Sequence, residues 1–283
     1  MTRTVLSWVL EKLEAGHDVA LATVIDSKGS VPGKPGAKLA MIKGGEKFGT
    51  IGGAGLELKI EKALNDLIKK PYIMASQGGR IENFVLYKDG KGKEVTALDS
   101  LCGGQLTVSL EVVNTTPHIL IIGGGHVGKS VSLVCDSISW SYSVFDIRED
   151  FSNKDRFPLA KELHSSSVSN FLDLENKDSL SRFSDILILG HDWSIDQEIL
   201  IGILSIIKDQ ERPRIGCIGS KTKWSAFKKA ALDENISKSI IDSTRCPIGL
   251  PIGAHSPGEI AVSICAEIIS LDADNGSMHK REE

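Results

Sequence analysis

HILIIGGGHVGKSVSLVCDSISW, residues 118–140, is the stretch from which the rest of the chain is best read. Its opening is short and almost wholly apolar, as expected of a central strand buried on both faces of a parallel sheet. Gly123, Gly125 and Gly128 follow at G-x-G-x-x-G spacing and open a helix. The first glycine permits the tight turn, the second lets backbone approach a phosphate, and the third lets the helix pack on the strand. A helix starting there offers free N–H groups and a positive dipole end to an anion. YSVFDI (142–147) reads as the next strand, and Asp146 at its end stands 18 residues after Gly128, placed to accept hydrogen bonds from a ribose hydroxyl. Strand, glycine triad, helix and acid together are far more specific than the glycines alone.

Downstream, DILILG (185–190) and RIGCIG (214–219) read as further strands, separated by the helical SIDQEILIGILSIIKDQ (194–210). A last helix opens on Ser256-Pro257-Gly258-Glu259, a capping box with Pro at the first helical position, and Ile260, Ile264, Ile268 and Leu271 line one face. The alternation predicts an α/β protein whose C-terminal domain, 118–271, is a Rossmann-like doubly wound parallel sheet, followed by a polar tail, 272–283, expected to be disordered.

Upstream, NTTP (114–117) reads as a linker of turn formers. Residues 4–15 have helical periodicity ended by Gly16, VALATVID (19–26) and KLAMI (38–42) read as strands, and SKGSVPGKPGAK (27–38) between them reads as a loop. FGTIGGAGLE (48–57) is a second Gly-rich turn leading into a helix over 56–70, which Pro71 stops. Short strands and polar loops are expected over 72–101, then a Gly turn and strand in CGGQLTVSLEVV (102–113). This pattern predicts a smaller N-terminal α+β domain over 1–113.

The 283 residues are 41% apolar and 25% charged, with a net charge of -4. That balance suits a globular protein with real cores and gives no general attraction to nucleic acid or an anionic membrane. No apolar run reaches the ~18 residues of a membrane span, and the N-terminal one is too short and interrupted for a signal peptide, so a cytoplasmic location is expected. Five cysteines, at 102, 135, 217, 246 and 265, without a Cys-x-x-Cys, argue against a disulfide framework and a structural zinc site.

Several loop residues carry chemistry. His126, inside the glycine loop, suits a phosphate contact or acid–base work, although an exposed side chain at a helix start reads the same way. Arg148 suits a phosphate partner or a surface charge. His191-Asp192 follows a strand at the edge where open α/β sheets bind ligands, and reads as a ligand-contacting loop or a local turn. Gly219-Ser220-Lys221 enters a helix from a strand end and offers N–H groups to an anion, without P-loop spacing. Cys102-Gly103-Gly104 is the most reactive-looking thiol context, since flanking glycines expose the sulfur and a thiolate is a soft ligand for metals such as molybdenum. A buried turn cysteine is the rival reading. No Ser/His/Asp triad is arguable.

Together, ATVIDSKGSVPGKPGAKLAM (22–41), GTIGGAGLE (49–57), CGGQLTVSLEVV (102–113), HILIIGGGHVG (118–128), FDIRED (145–150), LGHDWSIDQEIL (189–200), IGCIGSKTK (215–223) and PIGLPIGAHSPGEIAVSICAEI (247–268) resemble the xanthine dehydrogenase accessory protein family, the XdhC/CoxI family. The resemblance runs nearly end to end and in order. It implies a chaperone that binds the molybdenum cofactor, as molybdopterin or its dinucleotide form, through Gly-rich loops such as Gly53–Glu57 and the one at Gly123. It further implies help with cofactor sulfuration through contact with a cysteine desulfurase, insertion into a xanthine dehydrogenase-type molybdenum hydroxylase, and a homodimer. On this view the protein serves maturation and not turnover. Cys102 matches the family's Cys-Gly-Gly motif and is the candidate beside the metal. One departure stands out: the family's Gly-Gly-Cys-x-Glu is here Gly53-Ala54-Gly55-Leu56-Glu57, with Gly55 in place of the cysteine. An NAD-dependent oxidoreductase and a nucleotide- or redox-sensing regulator remain the alternatives.

Overall fold

The computed structural model describes residues 4–69, 79–85, 95–97, 104–208 and 213–274. The chain divides into two compact units, one running to Thr115 and one over Thr116–Leu271.

In the first unit, α1 (Val5–Glu14) precedes β1 (Val19–Gly29), β2 (Lys38–Ile42) and β3 (Lys47–Thr50), then α2 (Ala54–Ile68), β4 (Arg80–Val85), β5 (Val95–Ala97) and β6 (Gly104–Val113). The strands form one sheet in the order β3-β2-β1-β6-β4-β5, antiparallel except for β4 with β5. Successive side chains of a strand point to opposite faces. Val19 and Leu21 therefore pack with Trp8 and Val9 of α1, whereas Ala20, Ala22 and Val24 pack with Leu56, Ile60 and Leu64 of α2. A strand stretch covered on both faces has to be apolar on both, which is why residues 19–22 show no alternation. β1 also runs three residues beyond the expected strand end, to Gly29, because β6 pairs with it past a bulge at Val24/Asp26 and supplies the hydrogen bonds.

The second unit contains β7 (His118–Ile122), α3 (His126–Ser137), β8 (Ser141–Phe145), β9 (Leu163–His164), α4 (Val168–Leu174) and α5 (Lys177–Leu180). β10 (Asp185–Ile188), α6 (Trp193–Ile207), β11 (Arg214–Cys217), α7 (Lys221–Asp233), α8 (Lys238–Ser243) and α9 (Pro257–Asp274) complete it. Its five strands are all parallel, in the order β11-β10-β7-β8-β9. Leu120, Ile122, Ile186 and Ile188 face Ile199, Leu200 and Ile203 of α6. Ile119, Ile121 and Leu187 face Val131 of α3 and Ala261, Ile264 and Ile268 of α9. The protein is thus an α/β chain with a Rossmann-like C-terminal unit. The chain leaves β7 toward β8 and later returns to β10 on the other side, so the crevice of the sheet opens between β7 and β10.

The capping box of α9 forms on both sides: Ser256 N–H donates to Glu259 Oε2 (2.9 Å) and Glu259 N–H to Ser256 Oγ (3.3 Å). That helix continues to Asp274, into the stretch expected as a polar tail; residues 275–283 lie outside the described residues. Thr115, in the expected linker, is tied to Asp18 through its backbone N–H (2.8 Å). Cys135, Cys217 and Cys265 are buried core residues, as their apolar surroundings predict.

His118 is expected to make this unit acid-sensitive. Its Nε2 lies 2.9 Å from Ser143 Oγ, and its ring meets Phe183 edge-on at 4.7 Å. Burial, then the nearby Lys161 cation, bring its pKa from 6.5 down to about 4. Below pH 6.5 the unfolded chain takes up a proton that the folded chain refuses. The contribution is therefore complete above that pH, shrinks as pH falls, and levels off below about 4. A shift of this size corresponds to roughly 3 kcal/mol. Urea midpoints at pH 7.5 and 4.5 are expected to differ less in His118→Leu than in the wild type, and an unchanged difference would show that His118 is not the acid-labile group.

Candidate functional site

The glycine loop between β7 and α3 is shaped by contacts that only some of its glycines require. Gly123 has φ +100, and a Cβ there would lie 2.8 Å from Gly190 N. Its N–H donates to Phe145 O (2.8 Å), tying the turn to β8. At Gly128 a Cβ would lie 2.2 Å from Gly123 O, so helix and strand approach too closely for any side chain. Both glycines serve as the spacing predicts. Gly125, the N-cap of α3, is different: a Cβ there would meet nothing within 4 Å, and no side chain caps the helix. The Cβ position at Gly125 is open and the helix N-terminus is uncapped, a combination that suits an anion. Gly124, outside the motif, is the most confined, with its Cβ position 1.8 Å from Phe151 O. The segment after β8 lies against the loop, and Arg156 fastens it by donating from Nε to Gly124 O (2.8 Å) and from Nη2 to Gly125 O (3.2 Å).

A cleft opens beside this loop, enclosing about 600 Å³ with the open solvent at its mouth included. Ile122 and Gly123 line it from β7, and Phe145, Asp146, Ile147 and Arg148 from β8. Gly190, His191, Asp192, Ile195 and Asp196 line it from the β10–α6 side. It stands at the carboxyl ends of the strands, at the point where the strand order reverses.

Asp146 is buried and holds Arg148 with both carboxylate oxygens, at 2.9 Å each. Burial opposes its charged form, but the hydrogen bonds from Arg148 and from the Gly124 N–H outweigh this and leave its pKa below the usual carboxylate range. Asp192 is the N-cap of α6, accepting from Ser194 N–H (2.9 Å) and Ser194 Oγ (2.6 Å). The His191-Asp192 pair therefore builds the cleft wall and the helix start, with His191 exposed at the mouth. Among the described residues no group of three His, Cys, Asp or Glu converges on a metal position.

Asp196 and Lys223 escape a sequence reading. Asp196 is buried on α6, its Oδ1 2.0 Å from where a Gly190 Cβ would stand, and its Oδ2 accepts from Lys223 Nζ of α7 at 2.7 Å. Burial raises its pKa against the pull of Lys223. Only the spacing of Asp192 and Asp196, one helical turn apart at the start of α6, hinted at it; the partner depends on how α6 and α7 pack.

The other candidates are dispersed. His126 is exposed on the first turn of α3. Ser220 caps α7 by accepting from Lys223 N–H (3.2 Å) and does not line the cleft. In the N-terminal unit, Glu57 pins the second Gly-rich loop, accepting from the Gly52 N–H (3.2 Å) and the Thr50 hydroxyl. Gly53 has φ +82 and packs on Pro32, whereas Gly55 has nothing within 4 Å of its Cβ position, so the cysteine expected there would fit. Gly104 opens β6 in close contact with Lys28 O. Cys102 and Gly103 lie outside the described residues.

Residues 119–268 match the XdhC Rossmann domain, and residues 12–71 match the XdhC and CoxI family. The chain belongs to the XdhC/CoxI family. Among curated proteins, this family member is 28% identical over 266 residues to the uncharacterized protein YqeB of Escherichia coli strain K12, a match covering 92% of this chain and 45% of that protein. The chain thus spans less than half the length of that relative. Among solved structures, a Bacillus halodurans protein described as a xanthine dehydrogenase aligns over 97% of both chains at 20% identity, with a TM-score of 0.47. A 3-hydroxyisobutyrate dehydrogenase from Salmonella typhimurium aligns over 42% of this chain and 39% of its own, at 15% identity and a TM-score of 0.31. No helix among the described residues of this XdhC/CoxI-family chain is long and apolar enough to cross a membrane.

Proposed function

We propose that this chain binds the molybdenum cofactor and acts as a maturation factor for a xanthine dehydrogenase-type molybdenum hydroxylase. It shields the cofactor, presents it for sulfuration by a cysteine desulfurase, and passes it to the client enzyme, working as a homodimer. The observation that carries this reading is the cleft at the strand ends, with the open helix N-terminus at Gly125 beside it. The cofactor is a pterin with a phosphate or a nucleotide diphosphate at one end and an oxidation-prone dithiolene-held metal at the other. Ile122, Phe145 and Ile195 supply apolar walls for the pterin, and the α3 N-terminus and Arg148 supply attraction for the phosphate. The dithiolene already holds the metal, so the absence of a three-residue ligand cluster among the described residues is compatible with this cargo. Cys102 is assigned to the metal or its sulfur.

The experiment is to purify the full chain anaerobically from cells making the cofactor, oxidise it, and assay pterin fluorescence in the wild type and Cys102→Ala. Pterin in the wild type and its loss in the variant are expected. No pterin in either would overturn the cofactor reading, and equal pterin in both would remove Cys102 from the site.

A further inference from the structure

Asp146 and Arg148 stand just past the strand next to the glycine turn, where nucleotide-binding α/β folds read ribose. A free carboxylate there accepts from both hydroxyls of a ribose diol. Asp146 is not free. Its Oδ1 accepts from the Arg148 backbone N–H (3.0 Å) and Nε (2.9 Å), and its Oδ2 from the Gly124 N–H (2.9 Å) and Arg148 Nη2 (2.9 Å). A carboxylate offers about four acceptor sites. All are filled, and the side chain is only 4% exposed. A diol gains a partner here only if Arg148 leaves.

Arg148 is the group presented to the cleft in its place. Its guanidinium stacks 3.8 Å from the Phe151 ring centroid. Two of its five N–H bonds hold Asp146, and the other three have no protein partner among the described residues. A planar fork oriented on both sides in this way matches phosphate oxygens. Arg156 approaches the same Phe151 ring at 5.2 Å while anchored on Gly124 O and Gly125 O, so a second cation stands by the loop. On the opposite wall the carboxylate of Asp192 is engaged in capping α6.

We propose that Arg148 makes this cleft selective for a ligand bearing a phosphomonoester and closes it to an unphosphorylated ribose diol. The inference rests on the cleft being the ligand site, as proposed above. A phosphomonoester carries nearly a full second negative charge and a third terminal oxygen that a diester lacks, and both favour the guanidinium. The terminal phosphate of a pterin cofactor and the 2′-phosphate of a nicotinamide dinucleotide share this chemistry.

The test is equilibrium binding to the full chain of two matched pairs of probes. One pair is NADP+ and NAD+, which differ by the 2′-phosphate. The other is the oxidised pterin phosphate released from a molybdenum enzyme, before and after alkaline phosphatase. In at least one pair the phosphomonoester is expected to bind about ten-fold tighter or more. That preference is expected to collapse in Arg148→Ala and in Arg148→Lys, which keeps a charge beside Asp146 and serves if the alanine variant does not fold. Equal binding within both pairs, no binding of any probe, or a preference that survives in the folded variants would overturn the proposal. A preference confined to the nucleotides would leave this inference standing and count against the cofactor reading. Pterin binding that ignores the phosphate, with no preference between the two nucleotides, would do the reverse.

Discussion

Replacing Asp185 with alanine is expected to cost the C-terminal unit about 3–5 kcal/mol, the cost of breaking a buried ion pair from one side. Asp185 opens β10 with no exposed surface. Arg214 of β11 clasps it with two hydrogen bonds, Nε to Oδ1 at 2.9 Å and Nη2 to Oδ2 at 2.7 Å. Arg245 adds a third, from Nη2 to Oδ1 at 2.9 Å, and reaches Glu267 of α9 with Nη1 at 2.7 Å. The two arginine side chains are 15% and 16% exposed, so removing the carboxylate leaves guanidinium charge largely cut off from water. The loss is larger than for a surface pair because the carboxylate shared by both arginines disappears while their desolvation remains. Asp185→Asn keeps the shape and one acceptor and is expected to fall between the wild type and alanine. Urea unfolding of the three proteins at neutral pH measures the series. A loss below about 1 kcal/mol for alanine would mean that water or Glu267 takes over both arginines and that the cluster is not the anchor of this sheet edge.

The same cluster shows why some of the fold is legible in the sequence and some is not. The β7–α3–β8 unit can be read directly because its requirements are local: an apolar strand, a turn that needs positive φ at Gly123, and a helix that cannot carry a side chain at Gly128. The capping box at Ser256 and Glu259 is legible for the same reason. Asp185, by contrast, looks like a polar boundary before an apolar strand; its role depends on Arg245, sixty residues on, arriving beside it. Asp196 and Lys223 pair across two helices in the same way. Residues 149–183 hide β9, α4 and α5 because these short elements are held by tertiary links, such as Arg182 bridging Glu162 and Glu175. At the site, residue types suggested Asp146 as a ribose acceptor and left Arg148 open. Only the bond pattern between them shows that the acceptors of Asp146 are filled while Arg148 keeps donors unspent, and periodicity carries no information on that point.

Gly125→Ala and Gly124→Ala are expected to give opposite results, although one residue apart. At Gly124 the new methyl would lie 1.8 Å from Phe151 O, a backbone atom that cannot rotate away. The segment after β8 must shift, straining the Arg156 bonds to Gly124 O and Gly125 O and the Gly124 N–H bond to Asp146. Overpacking of this kind costs about 1–3 kcal/mol, so this variant is expected to unfold earlier in urea. At Gly125 the methyl meets no atom within 4 Å, and φ −65 with ψ −157 suits an L residue. The structural cost is only that of a poorer N-cap, about 1 kcal/mol at most. The methyl nevertheless occupies the space before the α3 N-terminus, where the phosphate of the cargo is assigned, so retained pterin is expected to fall about ten-fold or more. Loss of stability at Gly124 without loss of ligand beyond the unfolded fraction, and loss of ligand at Gly125 with no more than the about 1 kcal/mol of a poorer N-cap, would separate the glycine that builds the loop from the glycine that receives the anion. If Gly125→Ala retained pterin at the wild-type level, the helix N-terminus would not be the phosphate site, and the cargo would have to be held by Arg148 or by the N-terminal unit.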